Sequence, residues 1–350
     1  MQPFLSICIP QYSRFPFLLR QLEILHTQKY RDFEVCITDD QSPEKGDQRI
    51  RDFLEACQIP YRYEINPVNL RYDGNLRAAI HLAKGKYVLL MGNDDALADE
   101  SSLELIAAQL QAVSKAGALL ANYRSLADGK VFRRVKRTGI LGRGLKTALE
   151  TFRDYSFVSG VALDRAKAQA LATDRWDGSE QYQMYLASRI VSDGAELVGV
   201  AEVVIHCGLQ IPGEDVDSYA SRPRPRWREG LPKLNVPLAK EAGLVFDAVL
   251  PATRGPVRGV AWKIQRQIYQ FTYGYWLFEY RRTLGWLYAA GFARAMLPSK
   301  TESHIPVKAR NFWKTRIFFS LVTLAGFLVP RFIFETAKPF LYQLAKGKIR

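Results

Sequence analysis

Two pairs of adjacent aspartates have the type and placement to do chemistry. Asp39-Asp40 closes the apolar run FEVCIT, and Asp94-Asp95 follows the apolar run YVLLM. Carboxylates at the carboxyl ends of strands can accept hydrogen bonds from a base. One or two of them can also hold a hard divalent cation, Mn2+ or Mg2+, that bridges phosphate oxygens and neutralises a leaving diphosphate. Either pair alone would read as readily as a helix cap. Their repetition in one topological setting is what points to a nucleotide site with a metal. Gly92, two residues ahead of Asp94, permits close backbone approach there.

The elements that must position these pairs alternate. Residues 5–9 form an apolar strand ended by Pro10, and residues 10–16 a loop into a helix whose apolar face holds Phe17, Leu18, Leu22 and Leu25. A second strand over 33–38 ends at the first aspartate pair. A helix over 46–57, a strand over 61–65, a polar loop over 66–74 and a helix over 75–83 follow, with Gly85 as a helix stop. The strand over 87–91 then delivers the second pair, ahead of a helix over 103–113. Strand and helix alternating in this way predict an α/β fold, a doubly wound, mainly parallel, Rossmann-like sheet. In such a sheet ligands bind beyond the carboxyl ends of the strands, where both pairs fall. The pattern continues with a strand over 118–123, a basic loop over 133–137, a helix from about 144, a strand entering a helix over 158–171, a helix over 180–191 and a strand over 197–206.

Composition bounds the rest. The 350 residues are 48% apolar, enough for a real core, and carry a net charge of +14, which calls for a polyanionic partner. Nucleic acid is not the expected partner: no recognition motif occurs, and acidic pairs at a strand edge repel phosphates unless a metal intervenes. Prolines 223, 225, 232 and 237 mark a linker. The expected domains are thus 1–217, α/β and catalytic; 218–237, linker; and 238–350, helical, basic and aromatic. In the last region, aromatics over 262–292 interleave with Lys263, Arg266, Arg281 and Arg282, a mixture suited to a membrane interface. The alternative is that these rings simply pack as a helical core. The apolar run 317–329 falls below the ~20 residues needed to span a bilayer, so association with the membrane surface is expected. Four cysteines without metal-type spacing, and no signal peptide pattern at the amino terminus, fit a reducing cytosolic setting.

The residues LSICIPQYSR, FEVCITDDQSPE and NPVNLRYDGNLRAAIHLAKGKYVLLMGNDDAL together resemble glycosyltransferase family 2, nucleotide-sugar-dependent, mostly inverting enzymes of GT-A fold, and most closely the branch of O-antigen sugar transferases. The resemblance covers about residues 4–115 well and extends loosely to about 206. It implies that Pro10 and Tyr12 border the nucleotide, that Asp39 or Asp40 bonds the base, and that Asn75 lies near the phosphates. Gly92 or Asn93 stands where the first aspartate of an Asp-x-Asp motif is usual, so metal contact would rest on Asp94, with Asp95 in reserve and His206 as a further ligand. Arg71 replaces a usual glycine and could add a phosphate contact, although a solvated loop arginine is the more ordinary reading.

The family's general base is an aspartate opening a late helix, in a segment that WDGSEQYQMYLASRI resembles. Gln181 occupies that position here, which leaves Glu180 first and Asp177 second as the carboxylate that takes the acceptor's proton. Both also look like ordinary first-turn helix residues. The reading that follows is transfer of a sugar from a nucleoside-diphosphate sugar to a lipid-linked (polyprenyl-diphosphate) glycan, by a peripheral protein at the cytoplasmic face of the inner membrane. A soluble or protein acceptor, or an inactive scaffold of the same fold, are the alternatives. The donor sugar, linkage and oligomeric state are not legible.

Overall fold

The computed structural model describes residues 2–214, 231, 233–234, 236–330 and 332–337. Most of the expected linker, and the basic end beyond residue 337, lie outside the described residues. The chain divides between residues 217 and 218 into two compact units.

The first unit follows the alternation. β1 (Leu5–Gln11), α1 (Phe15–His26), β2 (Phe33–Asp39), α2 (Asp47–Ala56), β3 (Tyr61–Ile65), α3 (Arg71–Leu82) and β4 (Tyr87–Leu90) form one half of a sheet. β5 (Ala96–Leu97), α4 (Ser102–Ala112), β6 (Ala116–Ser125), β7 (Val131–Phe132), β8 (Gly139–Arg143), α5 (Gly144–Thr151), β9 (Val161–Asp164), α6 (Arg165–Ala170), α7 (Tyr182–Ser192) and β10 (Glu196–Cys207) complete it. The strand order is β3-β2-β1-β4-β9-β6-β10-β5, with β7 on β6 and β8 on β10. β1 to β4, β6 and β10 run in one direction, and β9 runs against both its neighbours, β4 and β6. The sheet is therefore mixed, mostly parallel, with helices packed on it. Apolar residues of β1, β2 and β4, such as Ile7, Val35 and Leu89, are fully buried against α1, α2 and α4 residues such as Leu22, Leu54 and Ile106.

Two local differences from the sequence reading bear on the site. The helix expected from residue 75 begins at Arg71, because Leu70 is pinned to the end of β2 by its N–H, which donates to Asp40 Oδ1 at 2.7 Å. The helix expected from residue 180 begins at Tyr182, which leaves Glu180 outside it with φ of 57°. Gly85 also serves a purpose other than a helix stop. It has no positive φ, and a Cβ there would come within 2.7 Å of the Ser6 backbone nitrogen, so the residue exists to let the chain cross β1 closely.

The second unit is helical. After a short turn come α8 (Glu241–Val249), α9 (Val257–Gln267), a π-helical segment (Ile268–Tyr273), α10 (Gly274–Thr283), α11 (Trp286–Ala295), α12 (Pro298–Thr301) and α13 (Phe312–Leu328). Its aromatics answer the question left by composition. Tyr269, Tyr273, Phe278 and Phe292 are buried, joined by ring contacts such as Tyr273–Phe292 at 5.5 Å. Much of the 262–292 stretch is thus packed as helical core, with Tyr275, Trp276 and Trp286 as exposed exceptions.

Gly85→Ala should lower stability by about 1–3 kcal/mol, the usual cost of forcing atoms into packed space. Gly259→Ala, where an added Cβ meets nothing within 4 Å, should cost no stability. Urea midpoints of the two variants check this; equal midpoints would refute the close-crossing account.

Candidate active site

The sheet order places the two acidic pairs together. β2 and β4 are the two neighbours of β1, and adjacent strands lie about 4.8 Å apart, so the two carboxyl ends stand about 10 Å apart. The register Gln11↔Asp39 puts those two residues level, and Asn93, in the turn three residues past the end of β4, meets Gln11 through its side chain. Gln11 ties them. Its carbonyl accepts from the Asp40 N–H at 2.9 Å and from Asn75 Nδ2 at 3.0 Å, while its side-chain Oε1 accepts from Asn93 Nδ2 at 2.9 Å. The loop after β1 extends the bridge: the Ser13 N–H donates to Ser42 Oγ at 2.8 Å, and the Ser42 N–H donates to Asp39 Oδ1 at 2.8 Å.

Each predicted residue then has a definite place. Asp39 and Asp40 are buried at the end of β2; Asp39 Oδ2 accepts from the Tyr63 hydroxyl at 3.0 Å, and Asp40 Oδ1 from Asn66 Nδ2 at 2.9 Å as well as from Leu70. Asn75, expected near phosphates, is buried and spends its amide inside the protein, donating to Gln11 and accepting from Asn66 Nδ2 at 2.9 Å. Pro10, expected to end the first strand, lies half-buried inside β1, which continues to Gln11, and Tyr12 just beyond it is half exposed. Asn93 faces Gln11 and Ser13. Asp94 Oδ2 pairs with the Arg14 guanidinium at 2.8 Å.

Asp95 is buried. Its Oδ2 accepts from Ser159 Oγ and its Oδ1 from the Gly208 N–H at 3.0 Å. Burial pushes its carboxyl up to about 7, with the charge of Asp94 adding to the shift and Ser159 and Gly208 opposing it. Ser159 in turn accepts from the Gly92 N–H at 2.8 Å, and its carbonyl accepts from Arg134 Nη2 at 2.8 Å. Arg134 is a residue that sequence reasoning missed. Read as part of a surface basic loop, it is buried beneath the site, donating also to the carbonyls of Ala121 and Phe157.

The expected cation site is not assembled. Both oxygens of Asp95 are already bonded, Asp94 is held by Arg14, and His206 lies on β10 opposite Ala96, where burial and Arg124 hold its imidazole below the ordinary histidine range. Among the described residues no three histidine, cysteine or acidic side chains are grouped so as to hold a metal ion. These residues as placed do not fit Mn2+ or Mg2+. The one carboxylate within reach of such an ion is Asp94, once Arg14 releases it.

The two base candidates part company. Asp177 accepts a two-pronged bond from Arg77, at 2.6 and 2.9 Å, and is thereby fixed. Glu180 sits in a left-handed turn whose N–H donates to Asp73 Oδ2 at 2.9 Å; Asp73 Oδ1 takes the Tyr182 N–H at 3.1 Å. Asp73, on the first turn of α3, therefore caps the start of α7, while Asp177 and Glu180, read from the sequence as first-turn residues, lie ahead of that helix. Burial raises the Asp73 carboxyl above its ordinary range against those N–H donors. Gln181, at the family's usual aspartate position, has a buried Oε1 with no hydrogen-bond partner. Arg71 is exposed beside Leu70, itself with φ of 62°. Non-glycine residues at positive φ otherwise include Ser13, Arg14 and Gln41, so the strain collects on the loops at this edge of the sheet.

Residues 6–169 match the model of glycosyl transferase family 2. The chain is 37% identical over 99 residues to abequosyltransferase RfbV of Salmonella typhimurium, an alignment covering 28% of this chain and 30% of that protein. It is 27% identical over 105 residues to the GalNAc(5)-diNAcBac-PP-undecaprenol beta-1,3-glucosyltransferase of Campylobacter jejuni, covering 27% of this chain and 31% of that protein. The chain thus spans less than a third of either curated relative. S. aureus TarS 1-349 in complex with UDP superposes with a TM-score of 0.62 at 13% identity, over 92% of this chain and 90% of that one. A mannosyltransferase of Pyrobaculum calidifontis in complex with GDP-Man and Mn2+ gives 0.53 at 16%, over 94% and 88%. At these identities the structural likeness is one of fold, and the fold is GT-A.

Asp95 generates a pH prediction for the metal-free protein. Its folded carboxyl titrates near 7 and its unfolded one near ~3.9, so between those values the folded state holds a proton that the unfolded state has lost. Stability from this group is full below the unfolded value and falls as pH rises to about 7. Asp95→Asn removes the loss. Its stability relative to wild type should therefore grow with pH across that window, on the order of 1 kcal/mol per unit, and level off above it. Parallel urea-midpoint curves for the two proteins would contradict the assignment.

Proposed function

We propose that this chain, whose residues 6–169 belong to glycosyl transferase family 2, transfers a sugar from a nucleoside-diphosphate sugar to a lipid-linked glycan during surface polysaccharide synthesis. The observation that carries the reading is the alignment of both acidic pairs at one sheet edge, held level by Gln11. Asp39 and Asp40 are presented where a base and ribose would lie, and Tyr12 offers a ring on which the base can stack. The lipid-linked, polyprenyl-diphosphate acceptor is supported by the relatives: one is an abequosyltransferase, and the name of the other contains PP-undecaprenol. With such an acceptor the protein works peripherally at the cytoplasmic face of the inner membrane.

For an inverting transfer the acceptor hydroxyl must lose its proton as it attacks opposite the leaving diphosphate. Glu180 is the proposed base. Asp177 is committed to Arg77 and acts by positioning that arginine, and Asp73 holds the turn that presents Glu180. A Mn2+ or Mg2+ ion enters the proposal only by displacing Arg14 from Asp94, and no step is derived through it.

A thermal-shift series with UDP-, GDP-, CDP- and dTDP-sugars tests donor binding, since a ligand that binds only the folded state raises its melting point. One donor class should raise it in wild type and in Glu180→Gln, and not in Asp40→Ala. With that donor and a polyprenyl-diphosphate glycan, Glu180→Gln should slow transfer by about 10²–10⁴-fold, and Asp177→Asn by clearly less. If no donor shifts the melting point, or if Asp177→Asn is the more damaging change, the assignment is wrong.

A further inference from the structure

Helix α13 has two unlike faces. On the inner face the Thr315 hydroxyl donates to Gln265 Oε1 at 3.1 Å, and the Phe319 ring meets those of Tyr269 and Tyr273 at 5.4 and 5.2 Å. The Thr323 and Tyr273 hydroxyls bond at 2.8 Å, and Gly326 makes room for Leu277. Arg281 closes the C-terminal end, donating to the carbonyls of Phe327 and Val329. The helix is therefore firmly seated in its unit.

The outer face carries Trp313, Ile317, Leu321, Leu324 and Leu328, each 56–73% exposed. At 100° per residue these five fall within about 80° of arc, a continuous apolar stripe along the whole helix. Scattered exposed apolar residues need no explanation, but an ordered stripe of this kind marks a contact surface.

Charge identifies what the stripe contacts. Residues 303–334 contain five basic side chains, Lys308, Arg310, Lys314, Arg316 and Arg331, and no acidic one. Lys314 and Arg316 are exposed on α13 itself. At the other end of the stripe, Arg281, and Arg282 in its ion pair with Glu279 at 2.8 Å, line a cavity of about 550 Å3 together with Trp286 and Leu328. Cations therefore stand at both ends of the apolar face. Two copies meeting through this face would bring their basic flanks together, whereas an anionic lipid surface neutralises them.

Length sets the orientation. The 17 residues of α13 rise about 26 Å, short of the ~30 Å hydrocarbon core, and no described helix is long and apolar enough to cross a membrane. We propose that the outer face of α13 is a docking surface for an anionic lipid bilayer, with the helix lying in the plane of the interface. Its apolar stripe sits among the acyl chains, Trp313 at headgroup depth, and Lys314 and Arg316 against lipid phosphates. This surface stands apart from the sugar-transfer reading, because lipid binding needs no substrate.

The test is flotation of the full-length protein with phosphatidylcholine vesicles, with and without phosphatidylglycerol, alongside light scattering for oligomeric state. Wild type should float with the anionic vesicles. The triple variant Ile317→Glu, Leu321→Glu, Leu324→Glu should lose roughly tenfold or more in apparent affinity with an unchanged melting temperature, since these side chains are exposed. Lys314→Glu with Arg316→Glu should weaken binding to anionic vesicles and blunt its dependence on salt. The proposal is overturned if wild type stays unbound, if the triple variant floats as well as wild type, or if wild type is a dimer that the triple variant converts to monomer.

Discussion

The site depends on Gln11. β1 is the strand between β2 and β4, so anything that fixes the distance and level of their ends must pass through it. A backbone carbonyl alone could tie one neighbour. Gln11 ties both, with its carbonyl toward Asp40 and Asn75 and its amide oxygen toward Asn93. Because the glutamine is buried, these bonds form away from competing water, and losing one would leave polar groups unsatisfied at a cost of about 1–3 kcal/mol each. The geometry of the acidic pairs is in this sense prepaid by one uncharged side chain.

A second constraint is that four carboxylates crowd one edge of a sheet. They can coexist only if each is compensated locally, and the structure compensates each differently. Asp39 and Asp40 accept from a tyrosine hydroxyl, an asparagine and two backbone N–H groups. Asp94 takes a guanidinium. Asp95 is left with a serine and one N–H, and it is the carboxyl whose proton affinity rises most clearly. Arg134 beneath it supplies positive charge through the protein interior, its own proton loosened by burial and its guanidinium satisfied by three carbonyls.

How much of this was legible follows from the range over which each signal acts. Alternating apolar runs and strand-end aspartates are local patterns, so β1 to β4 and the acidic edge could be read directly. The direction of β9, four residues long, could not, because nothing in VALD distinguishes a parallel from an antiparallel neighbour. Gln11, Asp73 and Arg134 escaped for a common reason: each acts on residues 13 to more than 100 positions away, and a polar residue's distant partner leaves no mark on its neighbours in sequence. The aromatic stretch 262–292 left two readings open for a different reason. Rings spaced along a helix look the same whether they face protein or lipid, and only packing showed that most of them face protein.

Arg14 is where these constraints leave something over. It holds a left-handed backbone at the start of α1, its guanidinium lies 4.2 Å from the Phe17 ring centroid, and it pairs with Asp94 through one nitrogen. Its Nε and Nη2 are buried with no hydrogen-bond partner. A buried donor without an acceptor is costly, and a strained backbone is kept only where its surroundings enforce it. Both costs fall on one residue, beside the carboxylate that a diphosphate-bound cation would seek. The pair thus keeps Asp94 from standing as an uncompensated negative charge. A guanidinium is suited to this position because, unlike a lysine, it can keep one fork on a carboxylate while offering another to an incoming oxygen. The acidic edge therefore carries less uncompensated negative charge than its count of aspartates suggests.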